Sequence, residues 1–295
     1  MEKCFLCPRN CGADRGSGRH GFCGVDNEIY VAKIMCHKWE EPCICHGEGA
    51  GTVFFSGCNL HCVYCQNSKI SHGIYGDKIS EDELISRIFE LEHSGASCIE
   101  FVTPTHYTDR LVNILSKIKQ ELNVPVVWNS GGYEKAETLK ALSGLVDIYM
   151  PDLKYFYADS GEKYSNAPDY FQVAISAIKE MLRQVGPPQF DCGGRMSRGV
   201  IIRHLVLPGG REESAELLRT LAEELPDEKS IILSLMSQYT PDFYIENHPD
   251  CKYKNLTRRL TSFEYNSVLN VATSLGFEGY FQQKSSADKR FTPDF

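Results

Sequence analysis

Short apolar runs alternate with amphipathic segments along most of this 295-residue chain. Runs of strand length predict buried strands at 51–56, 98–102, 124–128, 145–150, 200–206 and 231–236. Apolar residues at helical spacing predict helices near 80–94, 107–121, 133–143, 169–185, 212–224 and 261–275. A last short strand is expected at 279–283.

The regular order of strand and helix predicts an α/β fold, with helices covering a parallel sheet. Right-handed crossovers would curl such a sheet into a complete or incomplete barrel. Periodicity alone leaves a doubly wound open sheet as the alternative. We expect residues 50–283 to form this main domain and the polar residues 284–295 to form a C-terminal tail.

Composition and charge exclude several classes of protein. The formal net charge of −8 disfavours nucleic acid as a partner. No apolar run approaches the roughly 18 residues of a membrane span, and the start of the chain lacks a secretory pattern. Thirteen cysteines without an export signal indicate a reducing compartment and metal ligation rather than disulfides. We therefore expect a cytoplasmic protein with no membrane partner.

Three cysteines lie directly after the first predicted strand, and Cys58, Cys62 and Cys65 form a C-x3-C-x2-C pattern. Three thiolates on one loop can bind three irons of a [4Fe–4S] cluster and leave the fourth iron without a protein ligand. The alternatives are a zinc knuckle and three buried thiols. Zinc needs a fourth ligand nearby, and His61 does not have the spacing of one. The pattern therefore favours an open cluster.

The loop reads Gly-Cys-Asn-Leu-His-Cys-Val-Tyr-Cys-Gln-Asn over residues 57–67. Its three cysteines, with an aromatic residue before the third, resemble the signature of radical S-adenosylmethionine (SAM) enzymes. The fuller loop resembles the activating enzymes of pyruvate formate-lyase. The resemblance spans roughly residues 50–240. It implies an incomplete (β/α)6 TIM-like barrel of the radical SAM type, preceded here by a Cys-rich N-terminal extension.

The resemblance also implies an activity and its partners. A [4Fe–4S] cluster would deliver one electron to bound SAM, which would yield a 5′-deoxyadenosyl radical that abstracts hydrogen from a substrate. The electron would come from a donor such as flavodoxin or ferredoxin. No protein acid or base is needed for the first step, because the chemistry belongs to the cofactor.

Polar residues at the predicted strand ends are candidate SAM ligands, because barrel enzymes bind ligands there. The resemblance implies roles for Tyr64 near adenine, for Asn129 and Ser130, and for the Asp-Leu-Lys motif that contains Asp152 and Lys154. A carboxylate beside an ammonium suits a zwitterion such as SAM. Asp152 could instead hold a cation with Asn129 or Ser130, or form a plain salt bridge with Lys154.

Two further strand ends supply candidates. Thr103 and Thr105 stand where the activating enzymes bind the amino group of SAM, although the motif here differs. Arg203 and His204 lie in an otherwise apolar strand, so one of the two must face the interior. An interior Arg203 would pair with a carboxylate of SAM or of the substrate.

Residues 1–49 differ from the rest, since no periodic apolar pattern runs through them. Four of their cysteines, Cys4, Cys7, Cys11 and Cys23, form a C-x2-C-x3-C-x11-C pattern. Such a segment buries too little apolar surface to order itself, so we expect a metal to fold it. Zinc and a second [4Fe–4S] cluster both take four thiolates, and the spacing does not decide between them. The remaining cysteines of the segment could bind that metal, form another site or be buried: Cys36, Cys43 and Cys45.

The substrate is open at this stage. The resemblance suggests activation of a glycyl-radical enzyme by hydrogen abstraction from a backbone glycine. The segments 103–106 and 238–239 depart from the activating enzymes. Modification of another peptide or of a small molecule is therefore the alternative. An iron–sulfur electron-transfer protein without SAM chemistry is the alternative from a different class.

Overall fold

A computed structural model describes residues 3–282 and residue 295. Within that part of the chain, ten strands belong to one sheet. They are β1 (Ile29–His37), β2 (Ala50–Phe55), β3 (Asp77–Ile79), β4 (Ile99–Val102), β5 (Val126–Ser130), β6 (Ile148–Pro151), β7 (Gln189–Phe190), β8 (Met196–Leu205), β9 (Ile232–Met236) and β10 (Gly279–Phe281). The six predicted strands are confirmed as β2, β4, β5, β6, β8 and β9, and β10 is the expected last short strand.

The helices of the described residues alternate with these strands. They are α1 (Ser68–Ser71), α2 (Glu81–His93), α3 (Thr108–Ile118), α4 (Ala136–Leu139), α5 (Ala158–Ser165), α6 (Tyr170–Val185), α7 (Arg211–Glu224), α8 (Asp242–Asn247) and α9 (Ser262–Ser274). Five of the six predicted helices are present as α2, α3, α6, α7 and α9. The helix predicted near 133–143 is shorter, because α4 has four residues and is followed by a 3-10 helix at Lys140–Leu142. The helices α1, α5 and α8 were not predicted. Ser80 begins α2 as expected, because its hydroxyl accepts a hydrogen bond from the N–H of Glu83 at 3.1 Å.

The strand order distinguishes the two predicted architectures. The sheet runs β10-β9-β8-β6-β5-β4-β2-β1-β3, with β7 paired to β8. From β2 to β10 the neighbours are parallel and follow the chain without reversal. A doubly wound sheet reverses its order at a switch point, so this sheet is singly wound, as in a barrel. Its path ends at β3 and β10, as an incomplete barrel requires.

The N-terminal segment contributes β1, an element that the sequence did not predict. β1 pairs antiparallel with β2 along its length and also with β3. Only Ile29, Val31 and His37 of β1 are buried. Burial therefore alternates only over the first three residues of β1, and the rest of the strand lacks the regular pattern that would reveal it in the sequence.

The core lies on both faces of the sheet, because successive strand residues point to opposite faces. On the helix-covered face, Trp128 belongs to the large apolar cluster. On the other face, Val127 and Ile148 pack with Cys43 and Ile44 of the N-terminal segment. The N-terminal segment therefore fills one end of the barrel interior. Residues farther along the same strand faces are polar and surround a cavity at the opposite end.

The predicted tail 284–295 lies outside the described residues apart from Phe295. The Phe295 ring lies 5.3 Å from that of Phe54 in an edge-on contact, and its carbonyl oxygen accepts a hydrogen bond from Lys69 Nζ at 3.0 Å. Among the described helices, none combines the length and the apolar character that crossing a bilayer would need.

Candidate functional site

The three-cysteine loop leaves the C-terminal end of β2 through a glycine. Gly57 has a φ of +85°, and a Cβ atom there would lie 2.6 Å from the carbonyl oxygen of Cys23. A side chain is therefore excluded by both the backbone conformation and the available space. The N–H of Gly57 donates to Ile70 O at 2.7 Å, which fixes the start of the loop. Sequence and packing thus direct Cys58 toward the end of the sheet where the strands stop.

Each of the three sulfur atoms has a hydrogen-bond donor. The donors are the N–H of Leu60 to Cys58 Sγ at 3.3 Å, the hydroxyl of Ser165 to Cys62 Sγ at 3.0 Å, and the hydroxyl of Ser71 to Cys65 Sγ at 3.5 Å. Such donors stabilise negative charge on sulfur, as metal-bound thiolates require. Burial raises the pKa of Cys58 to about 12, so the free thiol keeps its proton at neutral pH and a bound metal must displace it.

A cavity of about 550 Å³ opens beside Cys62 and Cys65. That volume lies in the range of small-molecule sites, which are roughly 300–1,000 Å³. Its wall contains five of the side chains that the sequence singled out as SAM ligands: Tyr64, Asn129, Asp152, Lys154 and Arg203. The structure therefore brings these five together with two of the three loop thiols.

Arg203 is the centre of the charged wall. Its Nε donates to Asp152 Oδ1 at 3.0 Å and its Nη2 donates to Asn129 Oδ1 at 2.7 Å. Lys154 Nζ donates to the other oxygen of Asp152 at 2.5 Å. Burial alone would raise the pKa of Asp152, but the two cations outweigh it and hold that pKa below its usual value. The wall therefore carries a firmly ionised carboxylate between two cations.

Strand alternation decides between Arg203 and His204. Arg203 points into the cavity, whereas His204 points to the helix layer. The His204 ring bonds to Leu153 O at 2.6 Å and to the hydroxyl of Ser214 in α7 at 2.8 Å. Burial lowers its pKa to about 4, so the ring is neutral. The expectation that one of the two faces the interior is confirmed, and the interior residue is Arg203.

The other three predicted SAM ligands do not line the cavity. Thr105 and Ser130 donate their hydroxyl hydrogens to the carboxylate of Glu134 at 3.1 and 2.6 Å, and Trp128 Nε1 donates to it at 2.9 Å. Thr103 adopts a left-handed φ of +58°, and its N–H donates to Asn129 O at 2.8 Å. These residues lie directly behind the cavity wall. Glu134, which accepts the hydrogen bonds of Thr105, Ser130 and Trp128, was not singled out in the sequence.

Three carboxylic acids near Arg203 were also missed. Glu40 and Glu41 belong to the N-terminal segment and line the cavity, with a Glu40 oxygen 3.8 Å from Arg203 Nη1. Glu41 accepts a hydrogen bond from Ser234 Oγ at 2.7 Å. Glu100 of β4 is fully buried, and burial together with the nearby Glu40 raises its pKa to about 8. The cavity is therefore richer in carboxyl groups than the strand ends alone suggested.

The four N-terminal cysteines lie near one another and beside the three-cysteine loop. Burial and the nearby thiols of Cys23, Cys4 and Cys11 raise the pKa of Cys7 to about 11. A Cβ atom on Gly21 would lie 2.9 Å from Cys11 Sγ and 3.7 Å from Cys23 Sγ. Cys7 and Cys23 are buried, Cys4 is half-buried and Cys11 is exposed. The group of four cysteines thus extends from the surface to the packed interior.

The described residues contain no group of three or more His, Cys, Asp or Glu side chains placed to hold a single metal ion. A four-iron cluster makes a different demand, because each thiolate binds its own iron atom. The remaining N-terminal cysteines are separate from the four. Cys36 lies half-buried on β1, Cys43 packs on Met196 with its sulfur 3.9 Å from the thioether, and Cys45 lines the cavity.

Comparisons with known proteins identify the family of this chain. The family described as the radical SAM superfamily matches residues 52–222, more than half of the chain. The chain therefore belongs to the radical SAM superfamily. It is 29% identical over 281 residues to "Uncharacterized protein MJ0674" of Methanocaldococcus jannaschii, covering 92% of this chain and 75% of that protein. It is 23% identical to "Uncharacterized protein MJ0808" of the same organism, with coverages of 94% and 83%.

Three solved structures are similar to this chain at low sequence identity. A mutant of spore photoproduct lyase superposes with a TM-score of 0.50 at 12% identity, covering 76% of this chain and 73% of that chain. Methylornithine synthase gives a TM-score of 0.48 at 16% identity, with coverages of 86% and 67%. A domain of pyruvate-formate lyase-activating enzyme from Bacteroides vulgatus gives 0.46 at 13% identity, with coverages of 64% and 100%.

Membership of the superfamily implies a [4Fe–4S] cluster and SAM, as the sequence predicted. The residues present suit both groups. Three buried or half-buried thiols, each with a hydrogen-bond donor, suit the cluster. A cavity with an ionised carboxylate between two cations suits a zwitterionic ligand such as SAM.

Proposed function

We propose that this radical SAM enzyme binds its catalytic cluster through Cys58, Cys62 and Cys65. The observation that carries the proposal is the position of two of these thiols, Cys62 and Cys65, beside a cavity with a charged wall. Because the loop supplies three thiolates and a [4Fe–4S] cluster has four irons, one iron is left for SAM. When bound, this cluster supplies the electron that cleaves SAM to methionine and a 5′-deoxyadenosyl radical.

We propose that Asn129, Asp152, Lys154 and Arg203 bind the amino acid part of SAM and that Tyr64 lies beside the adenine. Charged groups excluded from water need charged partners, and these side chains offer both signs. The wall behind Asn129 is held in place by Thr103, Thr105 and Ser130. Their supporting role is favoured because their hydrogen bonds are directed to Glu134 and Asn129 rather than to the cavity.

The substrate that we favour is a protein with a protruding glycine-containing segment, as in glycyl-radical enzyme activation. The cavity volume of about 550 Å³ is that of a site for one ligand of SAM's size. A substrate must then reach the 5′ carbon from the open end, which a narrow peptide segment can do. The second candidate is another peptide or a small molecule, and the acidic residues Glu40 and Glu41 favour one with a cationic group.

We further propose that Cys4, Cys7, Cys11 and Cys23 bind a second metal group, either a [4Fe–4S] cluster or zinc. The proximity of the four thiols supports a metal site, since Cys4, Cys11 and Cys23 all act on the pKa of Cys7. The cluster is favoured, because the described residues contain no group placed to hold a single ion. A donor such as flavodoxin or ferredoxin would supply the electrons for SAM cleavage. The thirteen free cysteines fit a reducing cytoplasm.

The test is anaerobic reconstitution with iron and sulfide, followed by a dithionite-driven assay for 5′-deoxyadenosine. The reconstituted protein should form 5′-deoxyadenosine from SAM, and Cys58→Ala should abolish it. Cys192→Ala, which removes an exposed thiol far from the loop in sequence, serves as the matched control and should keep full activity. SAM cleavage by Cys58→Ala at the wild-type rate would refute the assignment of the three-cysteine loop.

A further inference from the structure

The donor to Cys62 belongs to a chain of buried hydroxyl groups. Ser165 is the last residue of α5, and its hydroxyl donates to Cys62 Sγ at 3.0 Å. The hydroxyls of Tyr155 and Ser165 lie 2.7 Å apart, and those of Tyr64 and Tyr155 also lie 2.7 Å apart. All four residues are buried.

The direction of this chain follows from the number of hydrogens. Each hydroxyl has one hydrogen to donate. Since Ser165 gives its hydrogen to Cys62, it must accept from Tyr155, and Tyr155 must in turn accept from Tyr64. Every dipole of the chain therefore points its positive end toward the sulfur of Cys62, and hydrogen bonds aligned in this way strengthen one another.

A single guanidinium holds the end of α5 against the three-cysteine loop. Arg9 Nη2 donates to Ser165 O at 2.7 Å, and Arg9 Nη1 donates to Asn166 O. Its Nε donates to Asn59 O at 2.7 Å, in the loop between Cys58 and Cys62. The Arg9 guanidinium also lies 3.9 Å from the centroid of the Phe22 ring. Arg9 therefore ties α5 and the loop together through backbone oxygens.

We propose that Ser165 sets the reduction potential of the cluster bound at Cys62 and that Arg9 is its positioning residue. The inference rests on the proposed role of Cys62 as a cluster ligand. One-electron reduction adds negative charge to the cluster and its sulfur ligands, and a donor hydrogen bond stabilises that charge. Hydrogen bonds to the sulfurs are among the factors that set cluster potentials. Ser165 therefore raises the potential and makes reduction easier.

Arg9 also gives the N-terminal thiols an influence on this potential. It lies in sequence between Cys7 and Cys11, two residues from each. A metal bound by these cysteines would fix the backbone on both sides of Arg9. The guanidinium would then hold Ser165 in reach of Cys62, so the state of one site would alter the environment of the other.

The experiment is a redox titration of the reconstituted full-length protein, monitored by the EPR signal of the reduced cluster. We expect the midpoint potential to shift to a more negative value in Ser165→Ala. Ser165→Thr keeps a hydroxyl and should stay near the wild-type value. Arg9→Lys should shift it in the same negative direction by a smaller amount, because a lysine ammonium cannot bond three carbonyls in a fixed fork. The midpoint potential of the double variant Ser165→Ala/Arg9→Lys should shift no further than that of Ser165→Ala alone.

The matched control is Ser160→Ala, on the same helix. The Ser160 hydroxyl donates to Glu213 Oε2 at 2.7 Å, so its loss perturbs α5 without removing the bond to Cys62. This variant should keep the wild-type potential. If Ser165→Ala loses its iron, Tyr155→Phe decides, since it removes the donor to Ser165 and should give a smaller negative shift.

Failure of the proposed function and failure of the inference about Ser165 would give different results. A wild-type protein that binds no cluster would refute the proposed function. A wild type and a Ser165→Ala variant that both hold the cluster at the same midpoint potential would refute only the inference about Ser165. If Ser165→Ala loses its iron, an unchanged midpoint potential in Tyr155→Phe would refute the inference about Ser165.

Discussion

The backbone N–H of Cys58 donates a hydrogen bond to the carbonyl oxygen of Cys23 at 3.2 Å. The first residue of the three-cysteine loop is thus joined directly to the last residue of the N-terminal cysteine pattern. Two segments that the sequence presents as separate candidate metal sites are in van der Waals contact. The N-terminal segment is therefore part of the surroundings of the three-cysteine loop.

Removal of the N-terminal thiols should change both metal content and stability. We expect the reconstituted wild type to bind about eight irons per chain if the second group is a [4Fe–4S] cluster, or about four irons and one zinc otherwise. Cys7→Ala should lose the second group and lower the melting temperature, because metal binding contributes folding free energy. Elemental analysis and thermal unfolding measure the two effects. An unchanged metal content in Cys7→Ala, with Cys192→Ala as the control, would contradict the second site.

Arg203→Lys should weaken SAM binding. Arg203 bonds two side chains on the cavity wall at once, to Asp152 and Asn129, and a lysine cannot reproduce this fork. We expect a rise of about tenfold or more in the dissociation constant for SAM, equivalent to about 1.4 kcal/mol. Equilibrium binding to the reconstituted protein measures it. Arg219→Lys, in an exposed ion pair with Glu216, is the control, and equal affinities in the two variants would remove Arg203 from the SAM site.

Ser130→Ala should destabilise the protein without weakening SAM binding. Its hydroxyl hydrogen is committed to Glu134 at 2.6 Å, in a network that is fully buried. Loss of this bond should lower the free energy of unfolding by about 1–2 kcal/mol. Glu134→Leu should lower it by about 3 kcal/mol or more, because it leaves several buried donors without an acceptor. Urea denaturation and SAM binding are measured together. A tenfold loss of SAM affinity in Ser130→Ala would restore this residue as a direct ligand.

Glu100 should make stability depend on pH in a specific window. Its pKa is about 8 in the folded protein, raised from 4.5, because burial and Glu40 disfavour the charged form. Between these values the folded state binds more protons than the unfolded state. The free energy of unfolding should therefore fall as pH rises from about 4.5 to 8. Glu100→Gln should show a smaller fall across the same range in urea denaturation. A steeper fall in the variant, or an identical one, would mean that Glu100 is ionised in the fold.

The three-cysteine loop and the charged strand ends were predictable because each is local in sequence. The spacing of Cys58, Cys62 and Cys65 is enough to predict a cluster-binding loop. Parallel strands all end at the same edge of a sheet, so the positions of Asp152 and Arg203 near their strand ends predicted that both lie at that edge. A hydrogen bond that depends on tertiary packing carries no such local signature. Ser165 lies 103 residues from the sulfur that it contacts.

The helix that carries Ser165 was missed for a physical reason. Its sequence, Ala-Asp-Ser-Gly-Glu-Lys-Tyr-Ser, has few apolar residues and contains Gly161, which disfavours helix. Tertiary contacts supply the stabilisation that propensity lacks, among them the hydrogen bond of Ser160 to Glu213. Glu41 escaped prediction similarly, since its partner Ser234 lies 193 residues away in sequence.

The superfamily match ends short of part of the cavity wall. Residues 52–222 contain the cysteine loop and the Asp152 and Arg203 charges, whereas Glu40, Glu41 and Gln238 of the same wall lie outside them. If the proposed SAM site is correct, the residues that the superfamily shares serve radical formation, and the residues outside the match border the place where a substrate would meet the radical. Relatives that keep the residues inside the match and differ in those outside it should carry out the same radical chemistry on different substrates. Exchange of residues 37–42 between such relatives is the direct route to redirecting the reaction.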